Sequence, residues 1–329
     1  MDNQEEHLFI INPRSFPRKL ELDRVLSQIS ASFESPGAPP HGVHISRYPR
    51  DAISIIRKWI AQLDPKTRVR VYAVGGDGIA FDCLNGIVGI PNAELAIIPY
   101  GSGNDFIRSF GDENYEAFRN IPLQTRSPAI PTDIIHCGNN CALNFCTVGL
   151  EAGAVIKTLS LNKRFDKLRP LVPALSSFFY TLGGILGAFD KSIIAQRYEI
   201  NADGVDLSGL YSIVNIANGP CYALGKSAVI TAVPDDGFLD MMMVRELSSF
   251  EVLRLLPDYL GGNYDKYPDI FFLRRVKKVS IRSEEPLLVN LDGEVFFDSD
   301  LAIEILPGAV KVGALNMPGY RQRAEFHGN

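Results

Sequence analysis

Apolar residues in the first third of the chain follow two alternating rhythms. Leu8, Phe9, Ile10 and Ile11 form an unbroken apolar run within His7–Asn12, the pattern of a strand buried on both faces. Leu20, Leu22, Val25, Leu26, Ile29 and Phe33 then recur at helical spacing. Val43–Ser46 reads as a second strand, and Ala52, Ile55, Ile56, Trp59, Ile60 and Leu63 share one helix face. Val69–Val74 and Leu95–Pro99 are the third and fourth strands. Strands alternating with helices predict an α/β domain, a mostly parallel sheet with helices on both faces, and ligands beyond the carboxyl ends of the strands.

After Pro128 and Pro131 the pattern changes. Ile134–Cys137, Cys141–Val148, Arg197–Asn201, Leu210–Ala217, Phe238–Val244, Val276–Arg282, Leu287–Leu291 and Leu301–Ile305 are short runs of β-branched and apolar residues. Gly138-Asn139-Asn140 and Ala202-Asp203-Gly204 are turn signals between them, and helical patches interrupt at Leu171–Phe189 and Ser248–Leu260. These predict an antiparallel β-sandwich or barrel-like second domain. The expected division is an α/β domain over residues 1–128 and a β-sandwich over 129–308, with 309–329 packing back on the first domain.

Charge and composition narrow the partners. Lys and Arg total 33 against 38 Asp and Glu, a net charge of −5, which gives no electrostatic footprint for general nucleic-acid binding. Five cysteines do not suggest a disulfide framework and fit a reducing cytoplasm. The start, Met1-Asp2-Asn3-Gln4-Glu5-Glu6, lacks the basic and apolar regions of a signal peptide. The charge-free run Pro170–Phe189 approaches bilayer length, but prolines, glycines, serines and a threonine dilute it, so a helix packed on the protein is expected rather than a transmembrane segment.

Two loops carry candidate chemistry. Val71-Tyr72-Ala73-Val74 empties into Gly75-Gly76-Asp77-Gly78, and Ile79–Asn85 can begin a helix. Glycines allow the close backbone approach of a phosphate cradle, and a helix N-terminus favours anions. An Asp there suits a magnesium ion riding on phosphates; a bare strand-to-helix turn is the alternative. The next strand ends in Tyr100-Gly101-Ser102-Gly103-Asn104-Asp105-Phe106, where Asn104-Asp105 can cap a helix running to Phe110. Asn12-Pro13-Arg14-Ser15 offers an amide, a guanidinium and a hydroxyl at the same rim. Further on, Asp235-Asp236-Gly237 and Asp292-Gly293-Glu294 are either acidic sites or hairpin turns.

Gly75-Gly76-Asp77-Gly78 with Asn85-Gly86, Pro99 through Phe106 with Arg108, Asp235-Asp236-Gly237-Phe238-Leu239-Asp240, and Leu291-Asp292-Gly293-Glu294 occur in the order seen in the diacylglycerol kinase catalytic-domain family. The match spans nearly the whole chain and resembles the soluble bacterial lipid-kinase branch, related to sphingosine and ceramide kinases. The resemblance implies transfer of the ATP γ-phosphoryl group to a hydroxyl of a diacylglycerol-like or sphingoid-like lipid at a membrane surface, with nucleotide in an interdomain cleft. It implies nucleotide contacts at Asn12, Pro13, Arg14, Ser15, Ser46, Gly75, Gly76, Asp77, Gly78, Ser102 and Asn104. Asp77 would act on the Mg²⁺-phosphate, Asp236 with main-chain oxygens near Val233 and Phe238 would match a structural magnesium site, and Asp292 and Glu294 would carry the base role. A peripheral cytoplasmic enzyme is implied, and a homodimer is compatible with it.

The chain also departs from the family pattern. Ile79 stands where the family usually has Thr, and Phe81 and Asp82 where it has Asn-Glu. These departures motivate one alternative, a catalytically impaired nucleotide- or lipid-binding protein. An NAD-kinase-like enzyme of a soluble substrate is the other. Cys137, Cys141 and Cys146 with His136 lack zinc spacing and are expected as core thiols. Met241–Met243 read as packing, and the basic run Leu273–Val279 as a solvated strand edge, with an anionic-lipid contact as the alternative.

Overall fold

The computed structural model describes residues 5–164, 195–221 and 229–315. The patch expected over Pro170–Phe189 and the segment from 316 onward lie outside the described residues. The chain divides into two compact units: one runs to Ile134 and resumes at Pro307, and the other spans Ile135–Leu306.

In the first unit, β1 (Glu5–Ile11), β2 (His41–Ile45), β3 (Arg68–Gly75) and β4 (Ala93–Pro99) pair in parallel in the order β4-β3-β1-β2. The register sets Ile11 beside both Ile45 and Val74, and Val74 beside Ile98, so the carboxyl ends of the four strands align. β4 is buried throughout, and β1 and β3 nearly so, because they are covered on both faces; the edge strand β2 alternates between half-buried and exposed. Helices α1 (Lys19–Ser32), α2 (Asp51–Ile60), α3 (Asp77–Ile87), α4 (Asp105–Arg108) and α5 (Ile121–Arg126) complete the unit. Phe9, Ile11, Tyr72, Val74 and Ile98 pack with Val25 and Ile29 of α1 and Ile121 of α5. α4 stops two residues before the expected end at Phe110, and the 3-10 turn Asp112–Arg119 and α5 carry no sequence signal that was read.

Two buried polar groups tie this unit together. Arg70 sits opposite Glu94 and donates to its Oε2 at 2.8 Å and to the carbonyls of Gln124 and Ser127 at 2.9 and 2.8 Å, fastening the end of α5 to the sheet. His7 shares a 2.7 Å hydrogen bond with the Tyr72 hydroxyl. Burial lowers the His7 pKa to about 4, with the Glu5 charge opposing.

The second unit contains the rest of β5 (Ala129–Cys137), then β6 (Asn140–Ala142), β7 (Phe145–Gly149), β8 (Gln196–Ala202), β9 (Val205–Asp206), β10 (Gly209–Ala217), β11 (Leu239–Arg245), β12 (Phe271–Val276), β13 (Lys278–Leu291) and the first part of β14 (Glu294–Gly313). Its antiparallel order is β12-β11-β10-β7-β13-β14, with β8 pairing β9, β10 and β13. Met242 and Val244 of β11 pack with Val252, Leu255 and Tyr259 of α7 (Ser249–Leu260), which starts at a Ser248–Glu251 capping box.

Three sequence expectations change here. Cys141–Val148 is two strands, because Leu143 and Asn144 are taken into a turn. Val276 ends β12, while the rest of that run from Lys278 joins Leu287–Leu291 in β13, with a register shift between Arg282 and Leu287. Helix α6 (Leu150–Arg164) was not foreseen, since Ala152, Gly153 and Ala154 blunt its apolar period. Cys137, Cys141 and Cys146 are buried thiols, Met241–Met243 are buried, and the basic run falls on the edge strand β12 and the start of β13.

Candidate functional site

At the carboxyl edge of the first sheet, β1 leads into Asn12–Ser15, β2 into Ser46, β3 into Gly75–Gly78 and β4 into Gly101–Asn104. Each turn is tied to a neighbour. The Asn12 amide donates to Val74 at 3.0 Å, that of Ser46 to Ile11 at 2.8 Å, and those of Tyr100 and Gly101 to the Gly75 carbonyl at 2.7 and 3.0 Å. Gly76 and Gly101 meet backbone to backbone: a Cβ on Gly101 would fall 2.3 Å from the Gly76 Cα. No side chain fits at that crossing, so the two glycine loops form one continuous surface.

Asp77 is the first residue of α3, yet its carboxylate serves the neighbouring loop. Oδ2 accepts from the Asn104 amide and Oδ1 from the Asp105 amide, each at 2.8 Å, so Asp77 caps α4 from outside. Burial pushes its carboxyl up, and those two amides pull it back. Asn104, with φ 54, accepts from the Gly101 amide at 3.2 Å and donates to the Gly101 carbonyl at 2.7 Å. Its amide therefore builds the loop, and other polar groups are left open.

Those others lie along the rim. Ser102, Gly78 and Arg14 are exposed, and among the described residues the Ser102 hydroxyl has no hydrogen bond. Asn12 caps the turn Pro13–Ser15 by accepting from the Arg14 amide at 3.1 Å. The Ser15 hydroxyl lies 2.9 Å from where a Gly75 Cβ would be. The Ser46 hydroxyl donates to the Tyr48 carbonyl at 3.3 Å. With the N-terminus of α3 beside it, the rim is suited to an anion such as phosphate.

In the second unit the acidic turn joins β13 to β14. The Asp292 carboxylate accepts from the amides of Leu143 at 2.6 Å, Asn144 at 3.1 Å and Phe145 at 2.9 Å. Glu294, two residues on and half-buried, has no hydrogen bond or ion pair among the described residues. In the turn before β11, Asp236 accepts from the Phe238 amide at 3.0 Å and is ion-paired to Arg275. Asp240 lies behind it, 3.8 Å from the Arg275 Nε, and burial pushes its carboxyl up to about 6 against the pull of that guanidinium.

Comparison with known proteins gives this arrangement a family. Residues 6–136 match the diacylglycerol kinase catalytic domain, and residues 170–314 match the YegS C-terminal NAD kinase beta sandwich-like domain. A Chromohalobacter salexigens protein named "Probable lipid kinase YegS-like" is 30% identical over 74% of this chain and 76% of its own. The chain belongs to the diacylglycerol kinase catalytic-domain family. A Shewanella frigidimarina protein of the same name is 26% identical over 74% of this chain and 75% of its own. The crystal structure of a "putative diacylglycerol kinase" from Bacillus anthracis strain Sterne superposes with a TM-score of 0.72 at 25% identity, covering 95% of this chain and 98% of the other. Kinase chemistry and the two-domain architecture follow from that membership.

Against the family pattern, the departures on α3 have a local cause. Phe81 is buried at 2% exposure, and the Arg50 guanidinium lies 4.6 Å above its ring. The Arg50 amide donates to the Asp82 Oδ2 at 2.8 Å, with Arg50 itself in the left-handed region at φ 67. Phe81 and Asp82 thus seat the start of α2. Sequence marks Arg275 only as part of the basic run and does not mark Arg50, because the partner of each is 30 or more positions away and no local spacing shows it.

At the turn where the family resemblance implies a structural magnesium, the Asp236 carboxylate is already engaged. One carboxylate oxygen takes the Phe238 amide and the other takes Arg275, while the Val233 carbonyl accepts from the Asp235 amide at 2.9 Å. Among the described residues no group of three His, Cys, Asp or Glu side chains could hold a metal ion.

Proposed function

We propose that this chain is a lipid kinase that takes ATP, with its accompanying Mg²⁺, as donor and phosphorylates a hydroxyl of a diacylglycerol-like or sphingoid-like lipid presented at a membrane surface. The observation that carries the reading is the Gly76–Gly101 contact, which merges two glycine loops into one bare backbone surface at a helix N-terminus. The relatives named as lipid kinases in Chromohalobacter and Shewanella support the substrate class. Among the described residues no helix is long and apolar enough to cross a membrane, so the lipid would be met from the surface.

In this reading the rim amides with Ser15, Arg14 and Ser102 hold the phosphates, and Asp77 fixes the second loop against the first. The lipid oxygen attacks the γ-phosphorus as the bond to the β–γ bridging oxygen breaks and ADP leaves. The hydroxyl proton passes to Glu294, whose carboxylate is uncommitted. Asp292 is assigned to positioning, because its carboxylate is committed to three main-chain amides. The burial of Phe81 beneath Arg50 supports treating that departure as packing rather than as a lesion in the cradle.

Offering radiolabelled ATP with diacylglycerol, ceramide, sphingosine, phosphatidylglycerol and NAD tests this. Label is expected in one lipid and is lost with Asp77→Ala. Label in NAD alone would make the enzyme a soluble-substrate kinase, and lipid label surviving Asp77→Ala would remove the nucleotide site from these loops.

A further inference from the structure

The turn before β11 is built around a cation that the chain itself supplies. In the β11–β12 ladder Asp240 lies directly opposite Arg275, which brings the guanidinium back over the turn Val233–Phe238. There it pairs with Asp236 and stands 3.8 Å from Asp240, whose side chain is 2% exposed. The Phe238 ring lies under it at 4.5 Å, and the Lys277 ammonium adds a second cation on the same ring at 4.8 Å. Gly237, at φ 76, lets the turn fold so that the Phe238 amide reaches Asp236.

We propose that the Arg275 guanidinium occupies the place a divalent cation would take at Asp236, so that the second unit is closed by a built-in cation and does not depend on bound magnesium. A magnesium ion needs an open carboxylate oxygen at about 2.0–2.1 Å within a near-octahedral oxygen shell. Here the outward oxygen faces a guanidinium, a planar donor that matches a carboxylate and cannot lose its charge. Bringing a doubly charged ion to the same oxygen would place it beside both Arg275 and Lys277. The register of β12 therefore decides the cation: a residue without charge at 275 would remove the guanidinium that stands against both Asp236 and Asp240. The inference stands whichever substrate the chain phosphorylates.

Full-length protein without nucleotide, desalted from magnesium, gives the test. Metal analysis of the wild-type chain is expected to find well under one equivalent of Mg²⁺. Its melting midpoint is expected to differ by less than about 1 °C between EDTA and millimolar MgCl₂. Arg275→Ala is expected to melt lower in EDTA and to regain about 3 °C or more, saturably, with MgCl₂. Retention of one equivalent of Mg²⁺ by the wild type, or a saturable rise in its midpoint with Mg²⁺, would overturn the proposal. So would an Arg275→Ala variant indifferent to Mg²⁺, which would show that the turn needs no cation. If that variant does not fold, the wild-type metal content and melts still decide the matter, and Arg275→Gln replaces it.

Discussion

Two turns in the second unit share the sequence Asn-x-Asp-Gly, and they fold alike. At Asn201–Gly204 and at Asn290–Gly293, the Asn side chain accepts from the Gly amide at 3.0 and 2.9 Å. Asp203 and Asp292 both adopt left-handed φ, 50 and 48, followed by glycines at 82 and 93. Each Asp exchanges hydrogen bonds with one distant residue: Asp203 with Lys278, and Asp292 with Phe145. The difference lies in what the turns carry. Asp203 is exposed, takes one further amide, from Lys277, and precedes Val205, whereas Asp292 gathers two further amides, from Leu143 and Asn144, and presents Glu294. The Asp-Gly pair is thus a hairpin device in both places, and the second hairpin aims an acid.

The largest effect should come from Glu294, the feature one turn has and the other lacks. Glu294→Gln is expected to lower lipid phosphorylation by about 10²–10⁴-fold while leaving the melting midpoint unchanged, read by labelled-lipid assay and calorimetry. Next comes Asp292→Ala, which strands three amides. It should cost about 3 kcal/mol in urea unfolding and remove activity together with stability. Asp203→Ala should cost about 1 kcal/mol and keep activity within about twofold. Equal losses of activity at Asp203 and Asp292 would erase the distinction between the turns.

The smallest effect separates the two units. His7 is buried and neutral, with its pKa lowered from 6.5 to about 4 by burial, so the unfolded chain binds its proton more readily. Stability from this group is complete above about 6.5 and is lost as pH falls toward 4. A melt followed by near-ultraviolet signal should show the first unit weakening across that window, and His7→Gln should flatten the slope.

Much of this was legible in the residues. The runs Leu8–Ile11, Val69–Val74 and Leu95–Pro99 announced the parallel sheet because strands covered on both faces need no polar alternation. The glycine loops were legible for a related reason: Gly101 leaves no room for a side chain and Gly76 leaves little. Helix α6 was not legible, since small residues in its first turns hide the helical period. The commitment of Asp292 to three amides was also hidden, because those amides come from 147 to 149 positions earlier in the chain. The ion pair at Asp236 was hidden for the same reason: sequence shows the acid turn and not the arginine that the β12 register delivers to it.

The second unit is inserted between Ile134 and Pro307 of the first, and Lys311 and Val312 of β14 pair with Glu94 and Leu95 of β4. During synthesis, β4 must therefore wait with one edge open while 172 residues of the second unit leave the ribosome. The unit begun first is completed last, and a nascent chain arrested before residue 311 would hold the glycine loops on a sheet with an unsealed border.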